Sequence, residues 1–144
     1  MNYLSRRKNR VIVLDQNLLK SKVWLSLNGI SKGLYLLFMC RRKMTKVGKR
    51  GHERNVCTNS KELQFTYREA KNKYGITNSR FSRGIDSLIE KGFIDIIKQG
   101  ALLQEVTLYG LSDRWEKYDT LEFEKKKRKK CDITRGFIKP KKQK

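Results

Sequence analysis

The chain has 144 residues, enough for one domain with a sizeable core and too few for two comfortable ones. It carries 35 Lys+Arg against 14 Asp+Glu, a net charge of +21, so its field favours polyanionic partners and disfavours basic ones. No apolar run approaches the roughly 20 residues of a membrane span, and three cysteines cannot all pair, as expected of free thiols in a reducing cytoplasm.

Residues 1–10, MNYLSRRKNR, read as a basic arm without the apolar core or cleavage site of a signal peptide. VIVLDQ reads as the start of a strand and DQNLLKS as a short helix. In SLNGISKGLYLLFMCRRK, Ile30, Leu34, Leu37 and Phe38 fall on one helical face, with Arg41, Arg42 and Lys43 complementing the dipole at its end. Trp24, Tyr35 and Phe38 suit base stacking, but aromatics at helical spacing more often build a core. The spacing favours core. Residues 44–59, MTKVGKRGHERNVCTN, read as a glycine-containing basic loop. His52 and Cys57 within it match no zinc-ligand spacing, so no metal or other cofactor is expected.

Leu63-Gln64-Phe65 can supply a short strand. In the following FTYREAKNKYG, Thr66 and Glu69 have the spacing of a capping box, and Tyr67, Ala70 and Tyr74 give an inner stripe. After Gly75-Ile76, Thr77 can cap a second helix whose Phe81, Ile85, Leu88 and Ile89 share a face and which Gly92 can close. The opposite face holds Arg83 flanked by Ser79, Arg80 and Ser87, where a merely solvated helix would carry paired Glu and Lys. Ser79, Ser82 and Gly84 are expected to keep that face slim. FIDII (93–97) and EVTLY (105–109), separated by the glycine of KQGALLQ, then read as a β-hairpin. LSDRWEKY reads as a helix cap and first turn. The last segment, 125–144, has 11 Lys/Arg and one acid, Asp132, with Pro140 and no apolar period, and is expected to be disordered.

The order strand, helix, turn, helix, hairpin predicts an α+β fold, a winged helix-turn-helix spanning 11–124 between the arm and the polybasic tail. Through LLKSKVWLSLNGISKGLYLLFMCRR and FTYREAKNKYGITNSRFSRGIDSLIEKGFIDI, residues 10–115 resemble the winged-helix proteins of bacterial mobile elements and prophages, including replication-initiator-like ones. That resemblance implies double-stranded DNA as partner, with Ser79, Arg80 and Arg83 on the exposed part of the recognition helix.

In the expected mode the 78–91 helix enters the major groove, Arg80 and Arg83 donate to guanine edges or phosphates, and Asn78, Ser79 and Ser87 add shorter contacts. Thr66, Tyr67 and Arg68 hold a phosphate at the preceding helix N-terminus. Lys98 and Gln99 follow the backbone or minor groove, and Lys126, Lys127 and Arg128 open a non-specific phosphate clamp. The function expected is sequence-specific binding by a cytoplasmic, nucleoid-associated transcriptional regulator or replication initiator-like protein of a mobile element. Monomer and homodimer both stay open. The lone His52 has no nucleophile or carboxylate partner and there is no phosphate-cradling GxxxxGK[ST], so no enzyme is expected. A basic RNA-binding or ribosome-associated protein is the alternative, and a protein–protein adaptor the third reading.

Overall fold

The computed structural model describes residues 11–100 and 105–129; the arm 1–10 and the tail beyond 129 lie outside them. Two helices form the centre. One, α3 (Gly29–Cys40), follows two short helices, α1 (Gln16–Lys20) and α2 (Lys22–Leu25), which are capped by Asp15 and Ser21. Asn28 starts α3 by accepting the Ser31 N–H at 2.8 Å. The other, α5 (Asn78–Glu90), starts at Thr77, whose hydroxyl accepts the Arg80 N–H at 3.4 Å. Phe81, Ile85, Leu88 and Ile89 are buried along it, and Arg83 stands exposed opposite them. The stripe read from the sequence is the core face.

Gly84 belongs to that face and not to the slim outer one. A Cβ at Gly84 would lie 2.5 Å from Leu34 Cδ1 and 3.3 Å from Ile30 Cγ2, so only glycine lets α3 and α5 cross this closely. The buried Ser31 hydroxyl donates to the Gly84 carbonyl at 3.4 Å across the crossing. A mid-helix glycine costs about 1 kcal/mol against alanine; here close helix packing offsets it.

Between α5 and its predecessor α4 (Tyr67–Tyr74) the chain turns through Gly75, which closes α4 in the left-handed region at φ 65°. Of the stripe expected on α4 only Ala70 is buried; Tyr67 and Tyr74 keep 38% and 44% of their surface exposed while their rings touch Phe81 and Phe65 edge-on. Gly92 closes α5 at φ 85°, with its own N–H on the Ile89 carbonyl and the Phe93 N–H on the Leu88 carbonyl at 2.9 Å. A side chain at Gly92 would also strike the Trp115 backbone, 2.7 Å away.

Phe93 then leads into β4 (Ile94–Lys98), which pairs antiparallel with β5 (Leu108–Leu111), and β5 pairs antiparallel with the two-residue β3 (Leu63–Gln64). The sheet order is β3-β5-β4. The returning strand begins three residues later than its alternation predicts, because a register shift between Ile96 and Lys98 places Tyr109 opposite Ile96 and buries it. Leu63, Phe65, Ile94 and Tyr109 join Leu34, Phe38 and the α5 stripe in one core. Trp24, Tyr35 and Phe38 are core residues: Trp24, Tyr35 and Phe93 meet pairwise at 5.5–5.8 Å, and Phe38 meets Phe65 and Tyr109.

Two expectations fail. The VIVL stretch forms no strand; Ile12 and Leu14 lean on the core while Val11 and Val13 face solvent. Residues 44–59 are not a loop but carry a second antiparallel ribbon, β1 (Met44–Val47) with β2 (Arg54–Cys57), paired from Met44↔Cys57 to Val47↔Arg54. Its side chains are exposed on both faces except for the half-buried Cys57. Order comes from the root, where Asn59 accepts the Lys43 N–H at 2.7 Å and donates to the Arg41 carbonyl at 3.0 Å. The LSDRWEKY segment is a 3₁₀ turn at Arg114–Lys117, with Trp115 stacked on Phe93.

Candidate nucleic-acid interface

The outer half of α5 presents its polar groups as a short ladder. Asn78, Ser79, Arg80 and Arg83 are exposed, and Arg83 donates through Nη2 to the Ser79 hydroxyl at 2.9 Å, one turn back. That bond lays the guanidinium along the helix towards its N-terminal end, where unsatisfied backbone N–H groups also point outward. Ser87, expected to contribute, is half-buried on the flank. Asp86 and Glu90 are the acids of this helix.

At the start of α4, Thr66 is occupied as the cap and accepts the Glu69 N–H at 3.1 Å. The reciprocal half of the capping box is not made. The Glu69 carboxylate turns instead to Arg41 at 2.8 Å and Lys73 at 3.1 Å. Arg41, above all, holds the Glu69 carboxyl below its usual pKa against partial burial, and Lys73 adds to the effect. Arg41 also stacks on Phe65 at 4.1 Å and donates to the Gln64 carbonyl, so it ties the end of α3 to β3 and α4. Arg68 is exposed beside this end.

Tyr67 has a different neighbour. Its hydroxyl accepts from Arg128 Nη1 at 2.9 Å, and the rest of that guanidinium engages Asp86 (Nε to Oδ1 2.9 Å, Nη2 to Oδ2 3.2 Å) and the Ser82 hydroxyl. Burial works against the charge of Arg128, but the Tyr67 hydroxyl and Asp86 outweigh it, and the pKa of the guanidinium is raised. Arg128 and Tyr67 line a cavity of about 410 Å³ with Ser82, Gln99, Thr107 and Tyr109. Gln99 donates to the Lys129 carbonyl at 3.1 Å on the same side. Lys98 pairs with Glu105 at 3.5 Å across the mouth of the β4–β5 hairpin. Lys126 lies 3.9 Å from Asp95 and 3.7 Å from Glu124, and Lys127 is exposed.

The expected residues therefore fall into two groups. Asn78, Ser79, Arg80 and Arg83 share the outer face of α5, whereas Tyr67, Gln99 and Arg128 meet on its flank beside the β4–β5 hairpin. Residues 125–129, the first of the expected tail, are packed on the domain. Sequence reasoning missed Asp86 and Ser82 as partners of Arg128, a contact spanning 42 positions to Asp86 that no local periodicity can show. It also missed the ribbon β1–β2, which presents Lys46, Lys49, Arg50 and Arg54 against the single acid Glu53, 3.6 Å from Lys46.

Comparison with protein families, with curated proteins and with solved structures finds no match for this chain. Among the described residues no group of His, Cys, Asp and Glu is placed to hold a metal ion, and no helix is long and apolar enough to cross a membrane.

Proposed function

We propose that this chain is a winged-helix protein that binds double-stranded DNA with sequence preference, α5 lying in the major groove and the β4–β5 hairpin acting as the wing. The observation that carries the reading is the exposed Ser79–Arg80–Arg83 face of α5, set in the element order β3–α4–α5–β4–β5 with sheet order β3-β5-β4. A net charge of +21 supplies the long-range attraction. Arg83, with a fork of donors already aligned along the groove-facing side, is suited to the O6 and N7 acceptors of guanine. The Ser79 hydroxyl that holds it is short enough to let the helix approach closely. The role that fits is binding without catalysis, in a transcriptional regulator or a replication initiator-like protein of a mobile element.

The test is selection of a preferred duplex followed by titration of wild type and Arg83→Ala on that site and on a scrambled one, at fixed salt. Arg83→Ala should cost about 1–3 kcal/mol on the preferred site and much less on the scrambled duplex. Equal losses would reduce Arg83 to a phosphate contact. Duplex RNA or single strands outcompeting duplex DNA would transfer the function to RNA, and binding to none of them would leave a protein partner as the reading.

A further inference from the structure

The segment 124–129 crosses the domain as a strap with several anchors. Arg114, only 13% exposed at its side chain, holds the first of them: its Nη1 donates to the Glu124 carbonyl at 2.7 Å while Nη2 sits 2.6 Å from Asp95 and donates to the Ile89 carbonyl. Asp95 also faces Lys126. Arg128 fills the site made by Asp86, Ser82 and Tyr67, and Gln99 takes the Lys129 carbonyl. Residues 126 and 128 turn inward, and 125, 127 and 129 outward. The chain is thus laid from the C-terminal end of α5, past β4, to the junction of α5, the start of α4 and the tip of β4.

This arrangement is costly unless it places something. Ordering an arginine side chain costs up to roughly 2 kcal/mol in rotamer freedom and each backbone residue about 1–2 kcal/mol more. A lysine-rich segment serving only solubility gains nothing from being fixed at one point. The covalent continuation of Lys129, residues 130–144, carries six further Lys/Arg against Asp132.

We propose that the strap is a positioning device: the Arg128–Asp86 pair sets the point at which the polybasic C-terminal segment leaves the domain, beside α5 and the wing, so that its cations engage phosphates of the same duplex that α5 reads. The inference rests on the DNA-binding reading above. Arg128 is a positioning residue here, its guanidinium turned to Asp86 and away from the nucleic acid. Without the pair, the departure point slips back towards Glu124. Five extended residues span about 17 Å, roughly twice the Debye length at physiological salt. The tail then meets the duplex at lower effective concentration.

The decisive substitution is Asp86→Asn, because simple electrostatics and positioning predict opposite signs. Removing an acid beside bound DNA, and freeing an arginine, strengthens binding if charge alone counts. The proposal expects binding to the selected duplex to weaken by about three- to tenfold. The same substitution in a chain ending at 129 should not weaken binding, and Arg128→Ala should behave likewise in both backgrounds. Binding that is unchanged or tighter for full-length Asp86→Asn overturns the proposal, as does a loss equal with and without residues 130–144. Placement is read separately in the free protein, with a nitroxide on Cys131 after Cys40→Ser and Cys57→Ser. Broadening of the amides of 82–87 and 99–100, abolished by Arg128→Ala, is the expected result; broadening that survives Arg128→Ala overturns it. If Arg83→Ala retains its sequence-selective effect while these outcomes fail, only the strap inference falls. If the wild-type chain binds no duplex DNA, the functional reading itself falls.

Discussion

The two antiparallel ribbons of this molecule are ordered by different means. In β4–β5, Ile94 and Tyr109 are buried and Ile96 half-buried, so one face is continuous with the core below α5. In β1–β2 both faces meet solvent, and the amide of Asn59 holds the two chains where they leave the domain. A two-stranded ribbon is marginal in water unless it packs on something. The contrast shows that a pair of strands can be kept by a few polar bonds at its base, and that such a pair is then independent of the core in energy.

That independence can be broken from the strong side first. Ile94→Ala removes a fully buried side chain and should cost about 2–5 kcal/mol in denaturant unfolding; a loss below 1 kcal/mol would mean that β4 is no better anchored than β1. Alkaline pH should act on the same ribbon. Burial, more than any nearby charge, pushes the Tyr109 pKa up to about 12. The folded value lies above the unfolded one near 10, so stability is complete below pH 10 and falls as pH rises towards 12. Tyr35 in α3, also pushed to about 12 by burial, adds to the loss. Phenolate absorbance appearing together with unfolding, as pH rises from 10, is the check.

The weaker side is reached at Asn59. Asn59→Ala leaves two backbone groups at the root without their partner and should cost about 0.5–1.5 kcal/mol. The effect should be local: hydrogen exchange in 44–57 accelerates while exchange in α3 and α5 is unchanged. Acceleration in all elements alike would show that the ribbon is coupled to the core after all. Smallest of all, Val56→Ala on the exposed β2 face should stay within about 0.5 kcal/mol of wild type.

Legibility in the sequence follows the same division. The α5 stripe, its Thr77 cap and its Gly92 stop were readable because burial with a 3.6-residue period leaves a pattern. The β4–β5 pair was readable as strands, and only its register shift, which depends on Tyr109 finding a place under the sheet, moved β5 from its expected start. β1–β2 left no pattern since no face of it is buried; MTKV and RNVC mix polar and apolar residues without a consequence for packing. Gly84 was assigned to the outer face because a glycine carries no apolar label, and only the proximity of Leu34 reveals its side. The outer-face arginines were found by their position opposite the stripe. Arg128 was read as part of an unstructured run, since the pull of Asp86 and Tyr67 acts through space and not along the chain.

Both tryptophans of this protein lie against one ring. Trp24 meets Phe93 edge-on at 5.8 Å, and Trp115 stacks on Phe93 at 6.1 Å from the other part of the chain. Intrinsic fluorescence is therefore a report from a single corner, where α2, the end of α5 and the 3₁₀ turn converge. It will follow loss of the core faithfully and stay dark to events at β1–β2, at the Arg83 face or along the strap. An optical unfolding curve of this protein measures the scaffold, and the surfaces proposed to meet nucleic acid need reporters of their own.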